Sequence, residues 1–245
     1  MCSARPFKCA LLIVVIAVWG FVFPLEAQAD AFDWRNVNGE NFMTPTKAQG
    51  PAECRQFAGI AAFEAKIKIV LNDPDFDIDL SERHVVNKAG GTSGFGLFMS
   101  TGVLTEAEMP YGVNPPVFQS GWQNRTYSVS QYYTKPIFDE DQDRLAIQNM
   151  LKTFGPLYTE DYHGTTLVGY DDAAQVWIVK ETYGSGYGDN GYVTYPYGYM
   201  QGRFLLAIAG DVYYGGEKLV PVPEPATLGL FVLLGPALLW RRRCC

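Results

Sequence analysis

The chain has 245 residues, of which 48% are hydrophobic and 18% are charged, and its formal net charge is −7. A chain of this length and composition can form one or two small domains with a buried core. Its central part, residues 30–221, carries 14 basic against 24 acidic side chains. The sequence therefore predicts no nucleic-acid partner, because that function class depends on a positive surface.

The first 29 residues have the pattern of a secretory signal peptide. Arg5 and Lys8 precede an apolar run over residues 9–23, and the small residues at positions 27 and 29 suit a cleavage site. The apolar run is short for a stable membrane span. We therefore expect residues 1–29 to direct export, with an uncleaved N-terminal anchor as the alternative.

Cys54 is the one thiol between the two ends of the chain. Export permits disulfides, but this cysteine has no partner in the central part. It is thus a reactive group, a site of intermolecular pairing or an inert buried residue. The loop-forming segment QGPAE precedes it, and apolar residues at helical spacing follow it. A helix beginning near Cys54 would favour a thiolate through its dipole.

The apolar stripe of this predicted helix leaves the charged residues Glu64, Lys66 and Lys68 on other faces. The members of the stripe are Phe57, Ile60, Ala61, Ile67, Val70 and Leu71.

The chain has only two histidines. His84 falls in a predicted short helix after the residues LSE, where we expect a structural role. His163 begins a predicted β-hairpin, because two runs rich in β-branched and aromatic residues flank a polar turn near residues 172–173. Pairing across that turn puts Glu181 near His163. The chain thus has a candidate nucleophile, a candidate base and a carboxylate that could orient the base.

The last 24 residues, 222–245, combine a Pro-Glu-Pro motif at 223–225, an apolar stretch at 226–240 and three arginines at 241–243. In this order they closely resemble the PEP-CTERM sorting signal of exopolysaccharide-producing Gram-negative bacteria. The resemblance implies the export machinery and an exosortase as partners. We expect the protein in the periplasm, at the cell surface or in the extracellular matrix, with the tail as a transient or permanent membrane anchor.

Several blocks of the central part resemble the papain-like cysteine proteases over most of residues 32–215. They are FDWRNVNGENFMTPTKAQG, QGPAECRQFAGIAAFEA, LSERHVV, GVLTEAEMPY, GPLYTEDY, HGTTLVGYD and WIVKETYGSGYGDNGYVTY. The resemblance implies an α+β fold within residues 30–221. A helical part would span about residues 45–125, and a β-barrel-like part would span about residues 126–215 together with the N-terminal strand. The active site would lie in the cleft between them.

Carried over position by position, the resemblance makes Cys54 the nucleophile, His163 the general base and acid, and Gln49 the side chain of the oxyanion hole. Glu181 stands where the family has the asparagine that orients the histidine. The implied activity is hydrolysis of peptide bonds through an acyl-enzyme, with a peptide or protein as substrate and no cofactor. The implied protein is an exported cysteine endopeptidase.

Two departures concern the catalytic positions themselves. Glu181 adds a charge beside His163, which predicts activity that persists to higher pH than with asparagine. Only four residues separate Gln49 from Cys54, one fewer than in the family. The oxyanion hole is therefore expected to be displaced.

Other departures concern the walls of the cleft. Arg55 and Tyr183 stand at two positions that the family fills with tryptophan, and the usual disulfide cysteines are absent. The family's specificity pocket is bounded by paired glycines, and Gly94 and Phe95 are the candidates for that wall. Tyr183 is the third candidate for substrate binding.

These departures leave a second interpretation open, a non-catalytic papain-like protein that binds partners at the cell surface or in an extracellular polysaccharide matrix. A third interpretation is other acyl-transfer chemistry, such as transpeptidation, on the same residues. Two distant histidines and one cysteine are too few for a metal site, so none is expected.

Overall fold

The computed structural model describes residues 30–113 and 115–221. The predicted signal peptide at 1–29 and the predicted sorting tail at 222–245 lie outside the described residues. Within the described ranges, no helix has both the length and the apolar character that a membrane crossing needs.

In the described residues most helices come first and most strands follow, with the last helix between the third and fourth strands. The helices are α1 (Cys54–Leu71), α2 (Glu82–Ala89), α3 (Phe95–Ser100), a short 3-10 helix (Trp122–Arg125) and α4 (Glu140–Phe154). The strands are β1 (Ala31–Asp33), β2 (Tyr127–Val129), β3 (Tyr132–Pro136), β4 (Leu157–Glu160), β5 (Gly164–Asp171), β6 (Val176–Lys180), β7 (Tyr192–Pro196), β8 (Phe204–Ile208), β9 (Val212–Tyr214) and β10 (Glu217–Lys218).

Seven of these strands form one antiparallel sheet in the order β3-β8-β4-β5-β6-β7, with β1 paired to β5. Strand β4 pairs with the first half of β5, and β1 pairs with its last three residues. Strands β10, β9 and β2 form a second, smaller sheet. Strand β5 is thus central to the large sheet, and His163 immediately precedes it.

The predicted hairpin around His163 and Glu181 is confirmed as β5 and β6. Its turn occupies residues 172–175, and Asp171 pairs with Val176 at the end of the ladder. A bulge between Leu167 and Gly169 shifts the register by one residue along the hairpin. The predicted turn position is therefore correct to within about two residues.

The predicted helix after Cys54 is confirmed as α1, but its surroundings differ from the amphipathic pattern. Glu64, Lys66 and Lys68 are buried along with the apolar stripe. The reason is that α1 is covered on one side by strands β4, β5 and β8 of the large sheet and on another by helix α2. Its Ala65 joins the core under the sheet, and its Phe63 joins the core shared with α2 and α3.

A helical core and a sheet core thus pack against each other across α1. This architecture confirms the predicted α+β class. Tyr127 and Val129 of β2 and Val212 of β9 belong to the same core as the helices, so the small sheet packs against the helical part.

A buried charge cluster joins the two cores. Lys47 Nζ lies 2.9 Å from Glu64 Oε1 on α1 and 2.8 Å from Glu82 Oε1 on α2. Lys180 Nζ on β6 donates to the Thr44 carbonyl at 2.8 Å, and the Thr44 hydroxyl donates to Glu64 at 2.6 Å. Burial lowers the pKa of Lys180 to about 8. Although burial opposes the charge on Lys47, the carboxylates of Glu64 and Glu82 raise its pKa.

Candidate active site

Cys54 is the first residue of α1, and its side chain is partly exposed. The residue before it, Glu53, does not cap the helix with its side chain. Its carboxylate instead accepts the Gly50 N–H at 3.2 Å and the Tyr111 hydroxyl. The first N–H groups of a helix have no intrahelical acceptor, and no acidic residue follows in the first turn of α1. The Cys54 amide is therefore suited to bind an anionic oxygen.

The first residue of β5 packs directly against the first turn of α1. A Cβ atom built on Gly164 would lie 2.9 Å from the Arg55 Cα and 3.3 Å from the Cys54 carbonyl carbon. Further along the same contact, the Thr166 hydroxyl donates to the Ala58 carbonyl at 2.9 Å. The backbone next to His163 therefore touches the backbone of Cys54, because residue 164 has no side chain.

Glu181 orients the His163 ring. His163 Nε2 lies 2.9 Å from Glu181 Oε2, and the Tyr195 hydroxyl donates to Glu181 Oε1 at 2.7 Å. Burial of Glu181 opposes its charge, but the hydrogen bonds with His163 and Tyr195 outweigh it and lower the pKa of Glu181. The carboxylate therefore stays ionised, and Nδ1 is the ring nitrogen of His163 that Glu181 leaves free.

Tyr183 covers one face of the imidazole. The two rings are stacked with centroids 4.9 Å apart and an interplanar angle of 6°. Half of the Tyr183 side chain remains exposed. Burial, together with the charges of Glu181 and Cys54, raises the pKa of the Tyr183 phenol. A neutral aromatic ring thus shields His163 at the position of the family's tryptophan.

Hydrogen bonds to Thr182, the residue after Glu181, hold Gln49 at the site. The Gln49 N–H donates to the Thr182 carbonyl at 2.8 Å, and the Gln49 Oε1 accepts the Thr182 hydroxyl. One N–H of the side-chain amide donates to the Gly50 carbonyl at 3.1 Å, which leaves its second N–H for a ligand. The short loop to Cys54 turns at Ala52, whose φ of +62° is left-handed.

Arg55 connects the two sides of the cleft next to Cys54. Its Nε lies 2.7 Å from Glu160 Oε1 at the end of β4, and its Nη1 donates to the Gly91 carbonyl at 3.3 Å. The Tyr158 hydroxyl donates to the second Glu160 oxygen. The charge of Glu160 raises the pKa of Arg55.

Gly94 and Phe95 are not brought to the cleft. Gly94 caps α3 with φ +88°, and a Cβ atom on it would lie 2.5 Å from Val85 Cγ1. Phe95 is 2% exposed and packs among aromatic rings of the helical core. Their burial excludes the predicted wall at these two residues.

The exposed pair Gly90 and Gly91 lies beside the first turn of α1 instead. Arg55 and Gln56 both donate to carbonyls of this pair. The adjacent glycines in AGGTSGF were the sequence signal for this position. Nothing in the sequence marked Glu160, because its pairing with Arg55 joins residues far apart in the chain.

His84 is confirmed as a structural histidine. It is fully buried, and its Nδ1 accepts the Leu104 N–H at 3.0 Å. Burial lowers the pKa of His84 to about 4. Within residues 30–113 and 115–221, no three His, Cys, Asp or Glu side chains are grouped to hold a metal ion.

No protein-family model matches the chain. Curated proteins do match it, and two of them illustrate the similarity. Cathepsin S of Bos taurus is 27% identical over 206 residues, covering 69% of this chain, and cysteine proteinase 1 of Entamoeba histolytica is 26% identical over 211 residues, covering 71%. Among solved structures, a digestive procathepsin L2 from the larval midgut of Tenebrio molitor has a TM-score of 0.59 and 22% identity, with 72% of this chain and 67% of that chain covered.

The chain is a homologue of the papain-like cysteine proteases. The predicted papain-like fold is thereby confirmed. This papain-like homologue spans 60% and 66% of the lengths of the two curated relatives.

In this papain-like homologue, the structure brings five of the predicted site residues together around the start of α1. They are Cys54, His163, Glu181, Gln49 and Tyr183. The sulfur comes from the helical core, while the imidazole and its carboxylate come from the sheet. The arrangement places a thiol, a ring nitrogen and free N–H donors at one junction.

Proposed function

We propose that this chain is an exported cysteine endopeptidase that cleaves peptide bonds with Cys54 as nucleophile and His163 as general base and acid. The proposal is supported above all by the contact between Gly164 and the Cys54–Arg55 backbone, next to a histidine oriented by Glu181. Homology to cysteine proteases supports the same chemistry.

In the proposed mechanism, the Cys54 thiol transfers its proton to His163 Nδ1, and the thiolate attacks the substrate carbonyl carbon. A carbon–sulfur bond forms and the carbonyl π electrons move to oxygen. The oxyanion accepts hydrogen bonds from the Cys54 N–H and the free N–H of Gln49. Collapse expels the amine, which takes the proton from His163 and leaves a thioester.

Water then completes the proposed cycle. His163 takes a proton from the water molecule that attacks the thioester carbonyl, and the second tetrahedral intermediate expels the thiolate. The carboxylate of Glu181 stabilises the imidazolium during both steps. The peptide acid leaves, and proton transfer restores the starting state.

Labelling of Cys54 with iodoacetamide and with a peptidyl epoxide tests this proposal. We expect rapid labelling in the unmodified chain and slow labelling in His163→Ala, because the imidazole generates the thiolate. Peptide mapping is required, since the chain has four other cysteines. Cys54→Ser is the control for site assignment, and circular dichroism checks that His163→Ala folds. Slow labelling that is the same with and without His163 would contradict an enzyme.

A second candidate is a non-catalytic papain-like binding protein at the cell surface or in a polysaccharide matrix. The observation that favours it is the engaged side chain of Gln49, whose amide contacts Thr182 and Gly50. Failure of both probes, with peptide or polysaccharide binding retained by the folded chain, would support this candidate.

We also propose that residues 1–29 direct export and that residues 222–245 are a PEP-CTERM signal removed by an exosortase. Replacing the prolines at 223 and 225 by alanine is expected to leave the full-length chain unprocessed. Mass spectrometry of the fractionated protein measures this. Identical processing of both chains would reject the motif's role.

A further inference from the structure

An ion pair lies beside Cys54 where the helical core meets the sheet. Arg55, the next residue on α1, pairs with Glu160 of β4 and donates to the Gly91 carbonyl. The side chains of Arg55 and Glu160 are 39% and 27% exposed. The pair therefore meets solvent at the junction that holds Cys54 and His163.

The strand register shows which way Glu160 faces. Glu160 lies opposite Gly164 on β5 and opposite Phe204 on β8, and directly opposed residues share one face of a sheet. The Cβ direction of Gly164 points at the Arg55 backbone. Glu160 and Phe204 thus point to the side where α1 begins, and Phe204 is 53% exposed there. An apolar ring borders the ion pair.

The hydrogen bonds of this pair are unequal. Both oxygens of Glu160 already have donors, from Arg55 and from the Tyr158 hydroxyl. Arg55 uses one N–H toward Glu160 and one toward Gly91, and a guanidinium carries more donors than these two. The open hydrogen-bonding capacity beside Cys54 is therefore that of a cationic donor.

We propose that Arg55 is a specificity-determining residue that selects ligands carrying a carboxylate for this cleft. This inference rests on the proposed function, since it concerns the substrate class of the same site. Glu160 accepts from Nε and Gly91 accepts one N–H of Nη1, which leaves Nη2 and the second N–H of Nη1 for another carboxylate. A fork held by one carboxylate is preorganised to bind another through parallel N–H bonds.

The acidic charge of the rest of the protein restricts a preference for carboxylates to the surroundings of Arg55. Residues 30–221 carry an excess of ten acidic side chains, so the general surface repels an acidic peptide. A preference for a carboxylate can then arise only close to an exposed cation. The carboxylate could be an Asp or Glu side chain or the free C-terminus of a peptide.

Peptide binding to the full chain carrying Cys54→Ala tests the proposal without catalysis. The probes are two sets of short acetylated and amidated peptides, with Glu or its neutral isostere Gln at each position in turn. A third set carries Gln and a free C-terminal carboxylate. We expect a carboxylate at one position to tighten binding about threefold to fivefold, as a partly exposed ion pair does. The readout is Kd from calorimetry or NMR.

Substitutions of Arg55 and of Glu160 are expected to change the preference for a carboxylate in opposite directions. Arg55→Ala should abolish the preference, Arg55→Lys should keep part of it, and Glu160→Gln should increase it because the competing carboxylate is neutralised. The matched control is Arg125→Ala, since the Arg125–Glu108 pair has nearly the same exposures, 37% and 25%, and neither residue bonds to Arg55 or Glu160. This control should keep the full preference.

The outcomes separate this inference from the proposed function. A preference confined to Glu peptides identifies a side-chain carboxylate, and one confined to the third set identifies a peptide C-terminus. Equal binding of charged and neutral peptides, a preference that survives Arg55→Ala, or no binding at all would overturn the inference. Failure of Cys54 labelling in the unmodified chain would instead reject catalysis and leave these binding results valid.

Discussion

Glu181 brings a negative charge into a buried position beside His163, and the residues around it stabilise that charge. The Tyr195 hydroxyl supplies a second donor, and its ring stacks on Tyr199 with centroids 4.0 Å apart. Arg203 lies 3.9 Å from the centre of the Tyr199 ring and helps to lower the pKa of Glu181. A neutral asparagine at this position would not need these partners.

Glu181→Asn is expected to move the basic limb of the pH–rate profile to lower pH. The reason is that the lowered pKa of Glu181 keeps its charge in place at neutral and basic pH, where it stabilises the ion pair of thiolate and imidazolium. Peptidyl-substrate hydrolysis over a pH series measures the shift. Tyr187→Phe, which leaves the His163–Glu181 bond intact, is the control. Superimposable basic limbs would reject the electrostatic role of Glu181.

Tyr195→Phe is expected to cost about 1 kcal/mol of unfolding free energy at neutral pH, because a buried carboxylate loses a donor. The sign in acid follows from the lowered pKa of Glu181. Its stabilisation is present above the unfolded-state pKa and is lost as pH falls through the folded-state pKa. Without Tyr195 the folded-state pKa of Glu181 is lowered less, so the loss should end at higher pH and be smaller.

Urea unfolding of Tyr195→Phe at several pH values measures both effects. Tyr133→Phe is the matched control, since Tyr133 is half exposed and its hydroxyl makes no hydrogen bond to the described residues. An unchanged acid dependence in Tyr195→Phe would show that its hydroxyl does not support Glu181.

At the scale of elements, the start of β5 meets the start of α1 through a missing side chain. A Cβ atom on residue 164 would lie 3.1 Å from the backbone nitrogen of Arg55 and 2.9 Å from its Cα. Backbone atoms cannot rotate away as the end of a flexible side chain can. The closeness of His163 to Cys54 therefore depends on glycine at 164.

Gly164→Ala is expected to destabilise the fold by about 2 kcal/mol through overpacking. It should also reduce kcat/KM on the order of a hundredfold, since a shift of about 1 Å at reacting groups has that effect. Gly96→Ala on α3 is the control, because a Cβ atom there meets nothing within 4 Å. Thermal unfolding measures the stability, and hydrolysis of a peptidyl substrate measures kcat/KM. Equal behaviour of the two variants would contradict the steric argument.

At the scale of the whole molecule, the buried charge cluster links elements that are distant in sequence. Glu64 accepts hydrogen bonds from Lys47, Thr44 and the Leu80 N–H. Its carboxylate is almost completely buried, so its charge depends on these partners for stabilisation. The cluster therefore couples unfolding of the helical core to unfolding of the sheet.

Glu64→Gln is expected to lower the unfolding free energy by about 3 kcal/mol, because it removes one of the carboxylates that offset the charges of Lys47 and of the buried Lys180. Lys135→Ala removes the surface pair with Asp143 and should cost less than about 1 kcal/mol. Urea unfolding followed by far-ultraviolet and tryptophan signals measures the difference. Similar costs for the two variants would show that the cluster contributes no more than a surface pair.

The elements with local signals were predictable. Helical spacing after Cys54 predicted α1, and two β-rich runs around a polar turn predicted β5, β6 and the approach of Glu181 to His163. The pairing of Arg55 with Glu160 and the burial of Phe95 were not predictable, because each depends on which elements pack together across the chain.

The sequence by itself determined helix α1, the β5–β6 hairpin and the set of chemically capable residues around Cys54 and His163, since spacing and residue type act over a few neighbours. Only the tertiary structure decided that the charged faces of α1 are buried, that Gly164 brings β5 onto α1 and that Arg55 reaches Glu160. Those outcomes depend on close packing between distant segments, which the periodicity of one segment does not encode.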